Sequence, residues 1–159
     1  MTPRDLVTIL CVLGCGLLAG FFFAFSICVM KALGKLPPAQ GIAAMQSINV
    51  VVINPVFLAA FLGTAVLSGL AVVLALLAWQ APAAPWSLAG GLLYVAGTFL
   101  VTMLLNVPRN NALAALAPTS SGAAALWTSY LSGWTAWNHV RMLAALAASA
   151  SFTVALLRR

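Results

Sequence analysis

The chain has 159 residues, of which 64% are hydrophobic and 5% are charged, and its formal net charge is +6. A soluble domain of this size needs a wetted, charged exterior, so the composition excludes that class and predicts a polytopic helical membrane protein surrounded by the lipid bilayer. The seven lysines and arginines are scattered at the ends of apolar runs. This placement is typical of snorkelling and of the positive-inside rule, and it argues against nucleic acid as a partner.

Acidic and metal-binding residues are scarce. There is no glutamate, the only aspartate is Asp5 and the only histidine is His139. This argues against paired-carboxylate hydrolysis, carboxylate-bridged metal pairs and carboxylate proton relays. One histidine and three cysteines are also too few for a convincing zinc site. We expect neither a metal nor a bound cofactor.

The first half of the chain predicts two spans joined by a short helix at the membrane surface. The first span is expected over residues 6–31, which is longer than the apolar region of a cleavable signal peptide, so we expect it to be retained. Small residues in its middle, such as Gly14, would let a neighbouring helix come close. The short helix is expected over 40–53, where Gln46 and Asn49 share a face.

Two polar residues at the ends of these spans each have two interpretations. Asn54, just before Pro55, either caps the second span over 55–79 or contacts a ligand. Ser26, near the end of the first span, either bonds back to a carbonyl of its own helix or contacts a ligand.

The second half predicts the same layout with a longer connection. A tight turn over 80–85 leads into a third span over 86–106, and we expect the polar run 106–111 to end that span. The remaining predicted elements are two short helices and the fourth span, over 112–117, 123–131 and 134–157.

These elements predict an all-α, four-transmembrane-helix bundle with short interfacial helices in the connections between spans 1 and 2 and between spans 3 and 4. The whole chain, 1–159, forms a single membrane domain. With four spans, both polar connections lie on one side and both termini on the other. We expect a bacterial inner (cytoplasmic) membrane with the termini on the cytoplasmic side. Small residues between helices can serve within one bundle or between copies, so a homo-oligomer stays open.

Trp134, Asn138 and Arg141 fall on one helical stripe at spacings of four and three. An arginine that begins an apolar helix is costly in a bilayer unless it faces a partner, water or a ligand. Arginine and amides walled by aromatic rings suit a flat, oxygen-bearing aromatic ligand. The alternative is that Asn138 and Arg141 only satisfy carbonyls at the ends of neighbouring spans.

His139 is the only conventional candidate for a general base. It lies two residues from Arg141, about 200° around a regular helix, so the two side chains cannot enter the same cleft. His139 is then an interfacial or lipid-facing residue, and a water held by Asn54 or Asn106 is the other candidate for the base.

Four segments, residues 45–49, 54–57, 106–111 and 134–141, resemble the anthrone oxygenase-like (DUF1772) family of membrane proteins, in order and over nearly the whole chain. The resemblance implies a small four-span integral membrane protein. Fungal members with assigned roles oxidise anthrones to anthraquinones without a bound metal or flavin. It therefore implies a monooxygenase-type oxidoreductase whose partners are a small hydrophobic aromatic substrate and O2.

With this resemblance, the residues receive roles. Arg141, Asn138 and Asn110 would stabilise the enolate and peroxide oxygens, and Trp134 and Trp137 would clamp the rings. His139 is the conventional candidate for the base, although regular helical geometry argues against it, and a water held by Asn54 or Asn106 is the alternative. The other residues expected to bind substrate are Gln46, Asn49, Asn54, Asn106 and Ser26.

Three other functions are compatible with the sequence. The first is a membrane binder or carrier of a quinone or lipid that catalyses no reaction, and the second is a structural subunit. A haem protein with His139 and either Met142 or Met45 as axial ligands is the third alternative.

Overall fold

The computed structural model describes residues 2–158, and this part of the chain is helical with no strand. Four of its helices are long and apolar enough to cross a membrane. The predicted all-α, four-span architecture is therefore confirmed, and the chain is a multi-pass membrane protein. The helices are α1 (Pro3–Leu33), α2 (Pro38–Val51), α3 (Pro55–Leu77), α4 (Ala84–Ala114) and α5 (Ala123–Leu157).

Local sequence signals set the beginnings of two spans. Thr2 and Asp5 form a capping box at the start of α1, because the Asp5 N–H donates to Thr2 Oγ1 and the Thr2 N–H donates to Asp5 Oδ2. Asn54 caps α3, since its Oδ1 accepts from the N–H groups of Val56 and Phe57 at 3.1 and 3.0 Å. The cap predicted at Asn54 is confirmed.

The four spans form a closed ring in which each packs against the next, and α5 returns to α1. Small residues let the helices approach closely, as expected for the middle of α1. Gly14 faces Thr64 of α3, and Gly97 of α4 faces Ala144 of α5, so closely in each case that an added Cβ would collide. The polar connections lie at one end of this ring, called here the connection end. The termini and the α3–α4 turn lie at the other.

The helices that contain the third and fourth predicted spans extend beyond the predicted bounds, which corrects the predicted elements of the second half. Helix α4 does not end at Asn106 but continues through Pro108 to Ala114, and α5 begins at Ala123 instead of Trp134. The two short helices expected between these spans are therefore the last turns of α4 and the first turns of α5, joined by residues 115–122. Within residues 2–158, α2 is the one separate short helix.

The backbone of α4 explains why a proline does not end it. Two of its segments, Leu93–Leu100 and Thr102–Asn106, are π-helical, with hydrogen bonds that reach back five residues. Pro108 has no N–H to donate, which would ordinarily interrupt the helix. Nearby, the Arg109 guanidinium donates to the carbonyl of Leu105. The widened turn Thr102–Asn106 lies just before the proline, and the helix continues past it.

The π segments also align a series of polar side chains. Polar residues recur every fourth position along α4. In a regular α-helix, residues four apart drift by about 40° at each step, so the series would wind around the helix. The wider π turns counter this drift and keep the members near one face. The series comprises Tyr94, Thr98, Thr102, Asn106 and Asn110.

Candidate functional site

Arg141 lies inside the bundle on the buried stripe of α5, with 5% of its surface exposed. Its Nε donates to Asn138 Oδ1 at 2.8 Å and its Nη1 to Thr102 Oγ1 at 3.3 Å. The Thr98 hydroxyl donates to the Arg141 backbone carbonyl at 3.1 Å. A buried cation without hydrogen-bond partners would cost several kcal/mol of stability, and these bonds offset part of that cost. They also hold the guanidinium in one orientation.

Asn138 connects Arg141 to the first span. Its Nδ2 donates to the carbonyl of Phe22 at 2.7 Å and to Ser26 Oγ at 2.6 Å, while its Oδ1 accepts from Arg141. Ser26 lies in a π-helical turn of α1, Phe25–Val29. Such turns often occur at functional sites. Asn138 therefore has three hydrogen bonds in a site with no exposed surface of its own.

Two aromatic rings cover the guanidinium. The Cζ of Arg141 lies 4.2 Å from the ring centroid of Phe22 and 4.8 Å from that of Trp134. Cation–π contacts of this kind are worth about 2 kcal/mol when they are desolvated. The rings supply apolar faces beside a concentrated positive charge, which is the environment that a flat anion would need.

Two amides from α4 hold Trp134, one through its indole and one through its backbone carbonyl. Asn110 Oδ1 accepts from Trp134 Nε1 and from the Tyr130 hydroxyl, both at 2.8 Å. The carbonyl of Trp134 accepts from Asn106 Nδ2 at 3.2 Å. Tyr130 stacks on Trp134 with centroids 6.2 Å apart. Because α4 continues past Pro108, Asn110 reaches this cluster and fixes the ring that covers Arg141.

Several buried polar atoms near this cluster have no hydrogen-bond partner in the described part of the chain. They are Asn106 Oδ1, Asn49 Nδ2 and Trp127 Nε1. Asn49 lies beside the Tyr130 hydroxyl. Unpaired buried polar atoms are rare in native proteins and usually mark a bound water or ligand. We therefore include Asn106 and Asn49 in the candidate site.

The charge of Arg141 is not balanced by a carboxylate. The only acidic side chain in the sequence, Asp5, is in the first turn of α1, at the terminal end of the bundle. A guanidinium has five N–H groups, and Arg141 uses two of them in hydrogen bonds, so three have no acceptor between residues 2 and 158. The site is therefore buried, carries a positive charge and has N–H groups free to donate hydrogen bonds.

The remaining predicted residues lie elsewhere. Gln46 donates to the carbonyls of Leu113 and Leu116 at 2.8 and 3.0 Å and so ties α2 to the end of α4. Asn54 is the cap of α3. Trp137 is half-buried and has no ring contact among the described residues.

The structure does not bring His139 together with Arg141. His139 is exposed and lines a groove on the outside of α1 and α5. The helical geometry predicted that His139 and Arg141 point into different clefts, and this is where the structure places them. The assignment of His139 as the base beside Arg141 has no support in this arrangement.

Sequence reasoning missed four contributors to the site: Thr98, Thr102, Tyr130 and Phe22. The four-residue spacing in α4 was a usable signal for the two threonines. For Tyr130 the signal was the buried stripe of α5, whose polar and aromatic members are Trp127, Tyr130, Trp134, Asn138 and Arg141. Nothing in the sequence singles out Phe22 from the neighbouring phenylalanines.

A cavity of about 380 Å³ lies at the opposite end of the bundle, near Arg4, Thr8 and Ser87. Alanines of α3, α4 and α5 form much of its wall. It is remote from the polar cluster at the connection end, so we do not include it in the candidate site.

Comparisons with known proteins identify the family of the chain. The family model described as anthrone oxygenase matches residues 55–151, which contain α3, α4 and most of α5. Asn106, Asn110, Asn138 and Arg141 all lie within the matched region. Neither the curated proteins nor the solved structures gave a match. With more than half of its residues matched, the chain belongs to the anthrone oxygenase family.

Proposed function

We propose that this protein is a membrane oxygenase that oxidises an anthrone-like, polycyclic phenolic substrate to a quinone with O2. The observation that carries the proposal is the buried guanidinium of Arg141. It is oriented by Asn138, it lies against Phe22 and Trp134, and it has no carboxylate beside it. Membership in the anthrone oxygenase family supports the same reaction class.

The first step is the loss of a proton from the methylene group of the substrate. The resulting anion carries its charge on the carbonyl oxygen and is aromatic across the central ring. The free N–H groups of Arg141 would bind that oxygen, and a donor aimed at a developing oxyanion contributes about 10²- to 10³-fold in rate. Phe22 and Trp134 would contact the ring system.

The later steps need no external reductant. The anion gives one electron to O2, and the two radicals couple to form a C–O bond at the former methylene carbon. The peroxide takes up a proton. Loss of the second C–H proton then breaks the O–O bond, leaves a carbonyl group and releases hydroxide, which becomes water. One oxygen atom of O2 enters the quinone and the other leaves as water.

Water is our candidate for the base. The described side chains around Arg141 include no carboxylate or histidine, and Asn54 is engaged as a helix cap. Asn106 Oδ1 is a buried acceptor without a partner and could hold a water molecule. Because Arg141 favours the ionised form of the substrate, a weak base suffices.

Substrate entry would require side chains to move, since Arg141 is only 5% exposed. The apolar wall next to Phe22 consists of rings that contact one another. The ring centroids of Phe21 and Phe57 are 5.1 Å apart, and Phe57 stacks on Phe61 with a centroid distance of 5.8 Å. Displacement of such rings would make room for a flat molecule without breaking a hydrogen bond.

The test is turnover of a simple anthrone by purified protein in nanodiscs under ¹⁸O₂. Oxygen uptake and the isotopic composition of the quinone would be measured for the wild type, Arg141→Gln, Arg109→Gln and empty nanodiscs, because anthrones oxidise slowly unaided. Arg109 is the matched control, since it is a half-buried arginine at the same end that bonds a helix carbonyl.

We expect quinone with one ¹⁸O from the wild type and from Arg109→Gln, and a loss of about 10²-fold or more for Arg141→Gln. Equal rates in all four samples would refute the oxygenase proposal for this substrate class. Retention of unchanged anthrone, lost only in Arg141→Gln, would instead identify a non-catalytic binder.

A further inference from the structure

A groove of about 500 Å³ runs between α1 and α5 on the outside of the bundle. Its apolar walls include Ile27, Met30 and Leu131. Its polar members include two bases, Lys31 and His139, both of which are exposed. Neither base takes part in the reaction proposed above, so the groove requires an explanation of its own.

The two bases lie at different depths. Lys31 is in the last turns of α1, where a lysine side chain reaches the head-group level. Ser26, on the floor of the groove, is five residues earlier, which is about 7–8 Å deeper at 1.5 Å per residue. Ser26 accepts from Asn138, and Asn138 and His139 are adjacent on α5, so His139 lies at that deeper level. The groove therefore has the positive charge of Lys31 at its mouth and the hydrogen-bond donor of His139 further in.

No carboxylate faces these groups. Among residues 2–158, the titratable residues that line the groove are Lys31 and His139, and the only acidic side chain in the sequence is that of Asp5, at the far end of α1. A positive mouth above apolar walls, open to the bilayer, matches an anionic phospholipid. Near a membrane surface each lysine contributes about 1 kcal/mol of attraction to anionic lipid.

We propose that this groove is a binding site for one anionic phospholipid. The ammonium group of Lys31 binds the phosphate, with Met30 and Leu131 beside it at the mouth, and His139 donates to an ester carbonyl below it. The first carbons of the acyl chain lie along Ile27, one turn deeper than Lys31. The floor of the groove is Ser26, which is hydrogen-bonded to Asn138, so the lipid lies one residue away from the network that holds Arg141. The proposal does not depend on the oxygenase function.

The test is native mass spectrometry of protein released from nanodiscs that contain equal amounts of phosphatidylglycerol and phosphatidylcholine, without substrate. Lys31→Gln removes the charge in the groove. Lys35→Gln is the matched control, because it removes the same charge at the same end of the bundle and does not line the groove. Ala136→Trp fills the groove with both bases in place. Circular dichroism would check that each variant is folded.

We expect the wild type and Lys35→Gln to retain phosphatidylglycerol about fivefold more than phosphatidylcholine, as 1 kcal/mol implies. Lys31→Gln should lose that preference, and Ala136→Trp should lose both lipids. Equal losses in Lys31→Gln and Lys35→Gln would show a general surface attraction and overturn the site. Wild-type retention without preference would also overturn it. Displacement by inorganic phosphate, but not by chloride at equal ionic strength, would overturn a lipid ligand in favour of soluble phosphate.

Discussion

The Nε of Arg141 donates to Oδ1 of Asn138 across 2.8 Å, one turn earlier on the same helix. Arg141 is the one fully buried charged side chain between residues 2 and 158. Asn138 is neutral, so it fixes the direction of the guanidinium without cancelling its charge. The positive charge of Arg141 therefore stays available to an anion that binds or forms in the site. In an ordinary buried salt bridge a carboxylate would neutralise that charge, and the difference can be tested.

Replacing Asn138 by aspartate would put a carboxylate beside the guanidinium. We expect Asn138→Asp to lose about 10²-fold in anthrone turnover, because the new anion takes up the charge meant for the substrate. Its stability in detergent should fall by only about 1–2 kcal/mol, from the lost amide donors. Asn138→Leu removes the acceptor for Arg141 Nε, leaves Thr102 as the one side-chain acceptor of the guanidinium between residues 2 and 158, and should cost about 3 kcal/mol or more. Wild-type turnover in Asn138→Asp would show that the free charge has no role.

The two tryptophans of the stripe should differ in effect. Trp134 covers Arg141 and donates to Asn110, whereas Trp137 is half-buried without such contacts. We expect Trp134→Phe to lower stability by about 1–2 kcal/mol and to raise the KM for anthrone. Trp137→Phe should change neither by more than measurement error. Steady-state kinetics and thermal unfolding of the two variants would measure these effects. Equal effects of Trp134→Phe and Trp137→Phe would contradict the assignment of Trp134 to the site.

His139 should be dispensable for chemistry. It faces the outer groove, away from the guanidinium. We expect His139→Ala to keep anthrone turnover within about twofold of the wild type in nanodiscs of phosphatidylcholine, where the proposed anionic lipid is absent. Removal of a general base typically costs 10²- to 10⁴-fold. A loss of that size would restore His139 as the base and would remove the need for a water at Asn106.

Two glycines of α1 provide a matched test of packing. A Cβ at Gly14 would collide with Thr64 of α3, whereas one at Gly20 meets no atom within 4 Å. Both changes to alanine carry the same gain in helix propensity. Gly14→Ala should therefore destabilise the bundle by about 1–3 kcal/mol and Gly20→Ala should not. Unfolding by titration with a denaturing detergent measures the difference, and equal midpoints would mean that α1 and α3 separate easily.

Composition and hydrophobic run length were enough to predict the four spans, the separate helix α2 and the cap at Asn54. These features depend on local preference or on the thickness of the bilayer. The sequence also placed Trp134, Asn138 and Arg141 on one face, because helical spacing alone determines this. Their hydrogen-bond partners on α1 and α4 depend on how the spans pack, and no local pattern encodes that.

The length of α4 is the clearest failure of local reasoning. Pro108 is a helix-ending signal in most contexts, and the prediction followed it. The actual helix accommodates it with π turns, whose hydrogen bonds are not readable from composition. The sequence placed Asn110 in the site as a ligand of the substrate oxygens, but it did not predict the hydrogen bonds that Asn110 accepts from Tyr130 and Trp134. Those bonds depend on the continuation of α4 past Asn106.

The π-helical backbone of α4 makes the site sensitive to residue count. Because neighbouring residues of a helix differ by about 100° in direction, deleting one residue near Val101 would rotate Thr102, Asn106 and Asn110 together away from α5. Tyr94 and Thr98 would keep their places. A deletion so small barely shortens the span, so insertion into the membrane should survive while the polar cluster comes apart. In relatives that share this site, the interval from Tyr94 to Asn110 should accordingly accept substitutions far more readily than gaps.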